Sequence, residues 1–65
     1  MDKQLVAKWE SKGGKYHLEL FRDDSGYSYR GDDCGGFMGQ VSELDAYRRM
    51  MTEYTTWPSR AYRIA

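Results

Sequence analysis

Few side chains in this 65-residue sequence are equipped for chemistry. His17 is the only histidine and Cys34 the only cysteine. Cys34 sits in RGDDCGGFMGQVSELD, residues 30–45, with four glycines and the adjacent pair Asp32-Asp33; a second pair, Asp23-Asp24, lies upstream. A Cys–His dyad requires the imidazole within hydrogen-bond reach of the thiol. The strand pairing derived below puts His17 beside Glu10 at the end of the sheet where the connector begins, so the dyad is geometrically conceivable. A solvated histidine on a charged face is the simpler reading, and no catalytic residue is assigned. The chain is read as a non-enzyme without a cofactor.

The other chemical readings fail on composition. Asp32, Asp33 and Cys34 lack the ligand number and spacing of a zinc or calcium site, and the two aspartate pairs fall at opposite ends of the expected sheet, so no metal is assigned. A glycine-rich turn leading into a helix can cradle phosphate through free N–H groups. Here no Walker lysine follows the glycines, and Asp32, Asp33, Glu43 and Asp45 would repel the anion. The tripeptide RGD at 30–32 is too short to carry weight.

The elements that must position these residues are legible from periodicity. QLVAKWES alternates, with Leu5, Ala7 and Trp9 on one side and Val6, Lys8 and Glu10 on the other. KYHLELFR alternates again, and YSYR is a short third strand. Gly13-Gly14 and DDSG are turn signals. A turn centred on Gly13-Gly14 pairs Lys8 with Glu19, Glu10 with His17, Ala7 with Leu20 and Trp9 with Leu18. The DDSG turn pairs Glu19 with Arg30 and Leu20 with Tyr29. One face then carries the alternating row Lys8–Glu19–Arg30, which is favourable across a ladder. On that face Val6 and Phe21 pair as exposed apolar contacts.

SELDAYRRMMTEYTTW predicts a helix capped by Ser42, with Asp45 as a weak capping box. Its stripe Leu44, Tyr47, Met51 and Tyr54 is expected to cover the apolar side of the sheet. Pro58 closes the helical region, and AYRIA is a candidate fourth strand with Tyr62 and Ile64 toward the helix. The expected architecture is a single α+β domain over residues 1–65. It has a three- to four-stranded antiparallel sheet, β-β-β-α-β or β-β-β-α, with one helix on one face. GDDCGGFMG is read as a flexible acidic crossover.

Size and charge narrow the function. A domain this small buries only about 60% of its unfolded surface, so its margin is thin. Aromatics make up 15% of the chain, enough that some rings serve interfaces as well as core. The net charge is zero, unlike a dedicated nucleic-acid binder. It is unevenly spread: residues 1–22 hold five basic and three acidic side chains, residues 23–45 one and six, residues 46–65 four and one. The single cysteine excludes an internal disulfide, and the longest aliphatic run, LVA, excludes a membrane span or signal peptide. The chain is read as a complete, cytoplasmic gene product that acts by binding.

In length, autonomy and tyrosine-rich, acidic character the whole chain is similar to small accessory proteins encoded by phages and mobile elements, including the anti-CRISPR group. That resemblance matches no motif residue by residue. It implies inhibition of a host nucleic-acid-binding complex, in the host cytoplasm, by occupation of a basic surface. The candidate contacts are Asp32, Asp33, Phe37, Asp23, Asp24 and Phe21. Two alternatives stand beside it: a nucleic-acid-binding module using Arg48, Arg49, Arg60, Arg63 and Trp57, and a small homo-oligomer holding a small molecule between protomers.

Overall fold

The structure, a computed structural model, describes residues 3–65; Met1 and Asp2, which count in the N-terminal charge and chain start, lie outside them. Alternating strands at the N-terminus and a 3.6-residue period near the C-terminus become β1 (Gln4–Ser11), β2 (His17–Asp23), β3 (Gly26–Gly31), β4 (Gly35–Gly39), α1 (Glu43–Tyr54) and β5 (Ala61–Arg63). The strands form one antiparallel sheet in the order β4-β3-β2-β1-β5, and α1 packs on one side of it. The α+β class with a single helix holds; the sheet has five strands where three or four were expected.

The extra strand is β4, inside the stretch read as a flexible crossover. Its glycines hide it from a propensity argument, because glycine weakens strands. At Gly36 the reason is space: a Cβ there would come within 3.1 Å of the Tyr29 ring. Tyr29 lies over the strand, and glycine lets the two backbones pair beneath it. The C-terminal strand does form, along β1. Its phase is the reverse of that expected. Ser11 pairs with Ala61, so Arg63 falls opposite Trp9 on the helix side, while Tyr62 falls opposite Glu10 on the other face. Tyr62 and Ile64 are both exposed.

The central register is as predicted: Lys8↔Glu19, Glu10↔His17, Trp9↔Leu18, Ala7↔Leu20, Glu19↔Arg30 and Leu20↔Tyr29. Gly13 and Gly14 sit in the first turn with φ of 88° and 73°, which the other residues of that turn need not adopt. The departure is a β-bulge between Leu5 and Ala7. The extra residue, Val6, swings to the margin of the core, and Leu5 becomes the partner of Phe21. The expected Val6–Phe21 pair is therefore a Leu5–Phe21 pair.

Ser42 caps α1, its Oγ accepting the Asp45 N–H at 3.1 Å, and Glu43 and Asp45 complement the helix dipole. The core consists of Ala7, Trp9, Leu18, Leu20, Tyr27, Ala46 and Met50. Ala46 and Met50, one turn apart, are the residues α1 buries. Of the expected stripe, Tyr47 and Tyr54 are half-buried against the core, but Leu44 and Met51 are exposed. With Ala46 and Met50 facing the sheet, the stripe lies on the flank of the helix.

Candidate protein-binding face

The helix covers only one side of the sheet. On the other side three rows of side chains are fixed by the register. Leu5, Phe21, Ser28 and Phe37 form one, Lys8, Glu19 and Arg30 the next, and Tyr62, Glu10 and His17 the third. Phe37 is 66% exposed and Leu5 47%. A bulge at Met38 sends that side chain toward the core and leaves Phe37 on the open face. Arg30 holds Glu19 at 3.0 Å and lies over the Phe21 ring, 5.8 Å from its centroid. Lys3, Phe21, Ser28, Arg30 and Phe37 surround a shallow hollow of about 450 Å³. Beside it β4 is the outermost strand, and Gly35–Gly39 contains neither a charge nor a proline. Those are the devices that usually blunt a strand edge.

Phe21 and Phe37, both expected as contacts, are thus brought together. The expected aspartates are not: they lie at the two ends of the sheet. Asp23 Oδ1 accepts the Ser25 N–H at 2.8 Å and stabilises the β2–β3 turn, while the Asp24 carbonyl accepts Gln40 Nε2 at 2.9 Å. At the far end the His17 backbone N–H donates to Asp32 Oδ2 at 2.8 Å, and His17 Nδ1 lies 3.4 Å from Oδ1. Asp32 is therefore a clamp between β2 and the β3–β4 turn. Asp33 is exposed and makes no hydrogen bond or ion pair among the described residues.

The His17 N–H, and then the His17 ring, hold the Asp32 carboxyl below its ordinary value. A lowered folded-state value contributes stability above the unfolded value, about pH 4, that is lost as pH falls through the folded one. Asp32→Asn should be less stable than the parent at pH 7, and the gap should shrink by pH 3. Urea midpoints at the two pH values read this directly; a gap that persists at pH 3 would remove the charge from the account.

Cys34 and His17 border a cleft of about 300 Å³ together with Asp32, Asp33, Glu53 and Trp57. Partial burial first, and then the carboxylates of Glu53, Asp33 and Asp32, push the Cys34 thiol up. An activated nucleophile needs the opposite shift. The His17 ring nitrogens face Asp32 and, at 3.7 Å, Glu10. Among the described residues no group of three or more His, Cys, Asp or Glu side chains is placed to hold a metal ion, and no helix is long and apolar enough to cross a membrane.

The basic-aromatic set is dispersed. Arg49 donates to the Tyr29 hydroxyl at 3.3 Å and lies 3.6 Å from Glu53, toward the β3 side. Arg63 lies over Tyr47 and Arg60 over Tyr62, at the β5 edge. Trp57 stacks on Tyr16 at 6.0 Å. Arg48 reaches Asp45 only at 4.0 Å. The set does not form one continuous strip. Leu5 on the open face and the β4 edge escaped sequence reasoning, because neither the bulge nor a strand with three glycines in five residues leaves a local signature. No protein family, curated protein or solved structure matches this chain.

Proposed function

We propose that this chain is a protein-binding module that seats its partner on the helix-free face around Phe21 and Phe37, and that it inhibits by covering a surface the partner needs free. The observation that carries the reading is Phe37. It stands at the middle of an uncharged outermost strand, two-thirds exposed, in one ladder row with Phe21 and Leu5. A partner strand or loop can extend such an edge by main-chain hydrogen bonds while the rings supply an anchor. Asp23 and Asp24 at one end of the sheet and Asp32 and Asp33 at the other bracket this face with carboxylates. A basic partner surface complements them, as the likeness to phage-encoded inhibitors of nucleic-acid-binding complexes implies, with the host cytoplasm as the site of action.

Phe37→Ala and Phe37→Lys should weaken capture of the partner from host lysate by about tenfold or more, since buried aromatic anchors commonly contribute 2 kcal/mol or more. Thermal unfolding of both variants should match the parent, because the ring is already in water. Asp24→Lys with Asp33→Lys should slow association and lower its salt dependence. Undiminished capture by Phe37→Lys would discard this face. A dimer mass that Phe37→Lys converts to monomer would assign the face to a second copy of the chain.

A further inference from the structure

The helix stripe is only half used by the core: Tyr47 and Tyr54 pack against it, while Leu44 and Met51 do not. Leu44, Tyr47, Met51 and Tyr54 follow a 3-4-3 spacing, the seam of a helix pair. Because Ala46 and Met50 face the sheet, this seam runs along the outer flank of α1, with Leu44 60% and Met51 49% exposed. Trp9 closes the floor, edge-on to Tyr47 at 6.0 Å and tilted against Tyr54 at 5.7 Å. These residues line a groove of about 460 Å³ whose remaining walls are Arg48 and Arg63.

The charges at that rim select an occupant. Arg63 donates to the Tyr47 hydroxyl at 3.2 Å and to the Ala65 carbonyl at 2.9 Å, and no side-chain carboxylate lies within ion-pair distance of it among the described residues. Arg48 has Asp45 at the limit of pairing, with both side chains more than half exposed. An apolar trough walled by two exposed guanidiniums complements apolar side chains flanked by acids. A second copy of the chain fits poorly, since a two-fold pairing would bring the same arginines from both copies to one seam. Nucleic acid fits poorly as well: the exposed apolar residues of the groove, Leu44 and Met51, offer no ring for a base to stack on, and Arg49, which a phosphate track would need, is engaged on the other flank of the helix.

We infer that the groove between α1 and β5 is a second docking site, separate from the helix-free face, and that it receives an amphipathic helical segment of another protein bearing carboxylates beside its apolar stripe. The incoming residues seat between Leu44, Tyr47, Met51 and Tyr54, and the carboxylates meet Arg48 and Arg63. Met51 lets the trough adjust to side chains of different shape. With both sites filled, the chain holds two partners on opposite sides of its sheet.

The test uses the full chain and a synthetic peptide of about three heptads with Leu at a and d and Glu at e and g, whose own charges disfavour self-pairing. Two controls accompany it: the same peptide with Lys for Glu, and single-stranded oligothymidylate. Saturable binding of the acidic peptide is expected, with amide shifts over Glu43–Tyr54 and Ala61–Arg63. Arg48→Glu with Arg63→Glu should weaken it by about tenfold or more and create affinity for the Lys peptide. Leu44→Lys should weaken it equally while leaving the unfolding curve unchanged. Equal binding of both peptides, or of neither, overturns the inference. So does a doubled solution mass that Leu44→Lys, and not Phe37→Lys, converts to monomer, which assigns the groove to a second copy, or oligothymidylate binding that the double reversal abolishes. Phe37→Lys should leave peptide binding intact, so the two surfaces fail or hold separately.

Discussion

Gly26→Ala should abolish cooperative folding. Gly26 has φ of +124°, a region closed to residues with a side chain. Its Cβ would land on the carbonyl of Gly39 and close to the Gln40 nitrogen, all backbone atoms that no rotamer change can move. The residue pairs with Asp23 at the β2–β3 turn, so relief of the clash must either open that turn or push the end of β4 away. Backbone strain of about 1–3 kcal/mol and overpacking of about 1–3 kcal/mol add. A single core in a chain this short rarely supplies more than about 3–5 kcal/mol. The variant should lose its thermal transition in far-ultraviolet circular dichroism. Gly13→Ala is the comparison: its φ is also positive, but nothing lies within 4 Å of the added carbon, so it should retain a clear transition at a lower midpoint. A parental melt for Gly26→Ala would mean that β3 and Gly39 do not pack this closely.

Leu20→Ala should cost about 2–5 kcal/mol, the range for emptying a fully buried leucine site. Leu20 is entirely shielded from solvent on the middle strand, flanked by Ala7 on β1 and Tyr29 on β3. Neither neighbour can collapse into the void without breaking the ladder it belongs to. Leu44→Ala removes the same atoms from an exposed site and should fall within about 0.5 kcal/mol of the parent. Urea titrations of the two variants decide the matter. Equal midpoints would mean that the helix is rotated from the position described, with Leu44 in the core.

That pair of leucines also marks where the sequence was readable. The three-stranded meander was, because two turn signals, a sign-alternating charge row and a hydrophobic row all demanded one register. Ser42 was, because a cap is a local device. What escaped were choices made by tertiary packing. Periodicity proposes the stripe Leu44–Tyr47–Met51–Tyr54 as the buried face, yet Ala46, a weak hydrophobe, is one of the two helix residues fully buried. The strand Gly35–Gly39 reads as a flexible loop because glycine weakens strands, whereas Gly35 and Gly36 answer to Tyr29 and Gly39 to a positive φ. Phe21 and Phe37 of the proposed contact site stand out by type, but the placement of Leu5 beside them depends on one inserted residue at Val6 that nothing in QLVAKWES announces.

The order β4-β3-β2-β1-β5 gives the sheet two unlike margins. At one, the five uncharged residues of β4 form the edge; at the other, the three residues of β5 follow Arg60 and end on Arg63. Fibrous stacking requires that every added unit re-create the surface that captured it. Here a strand taken up by β4 meets no matching acceptor beyond β5, which is too short and too basic to continue the pattern. On the proposed reading a guest strand would end the sheet and not seed a polymer, which lets so small a molecule leave one margin uncovered.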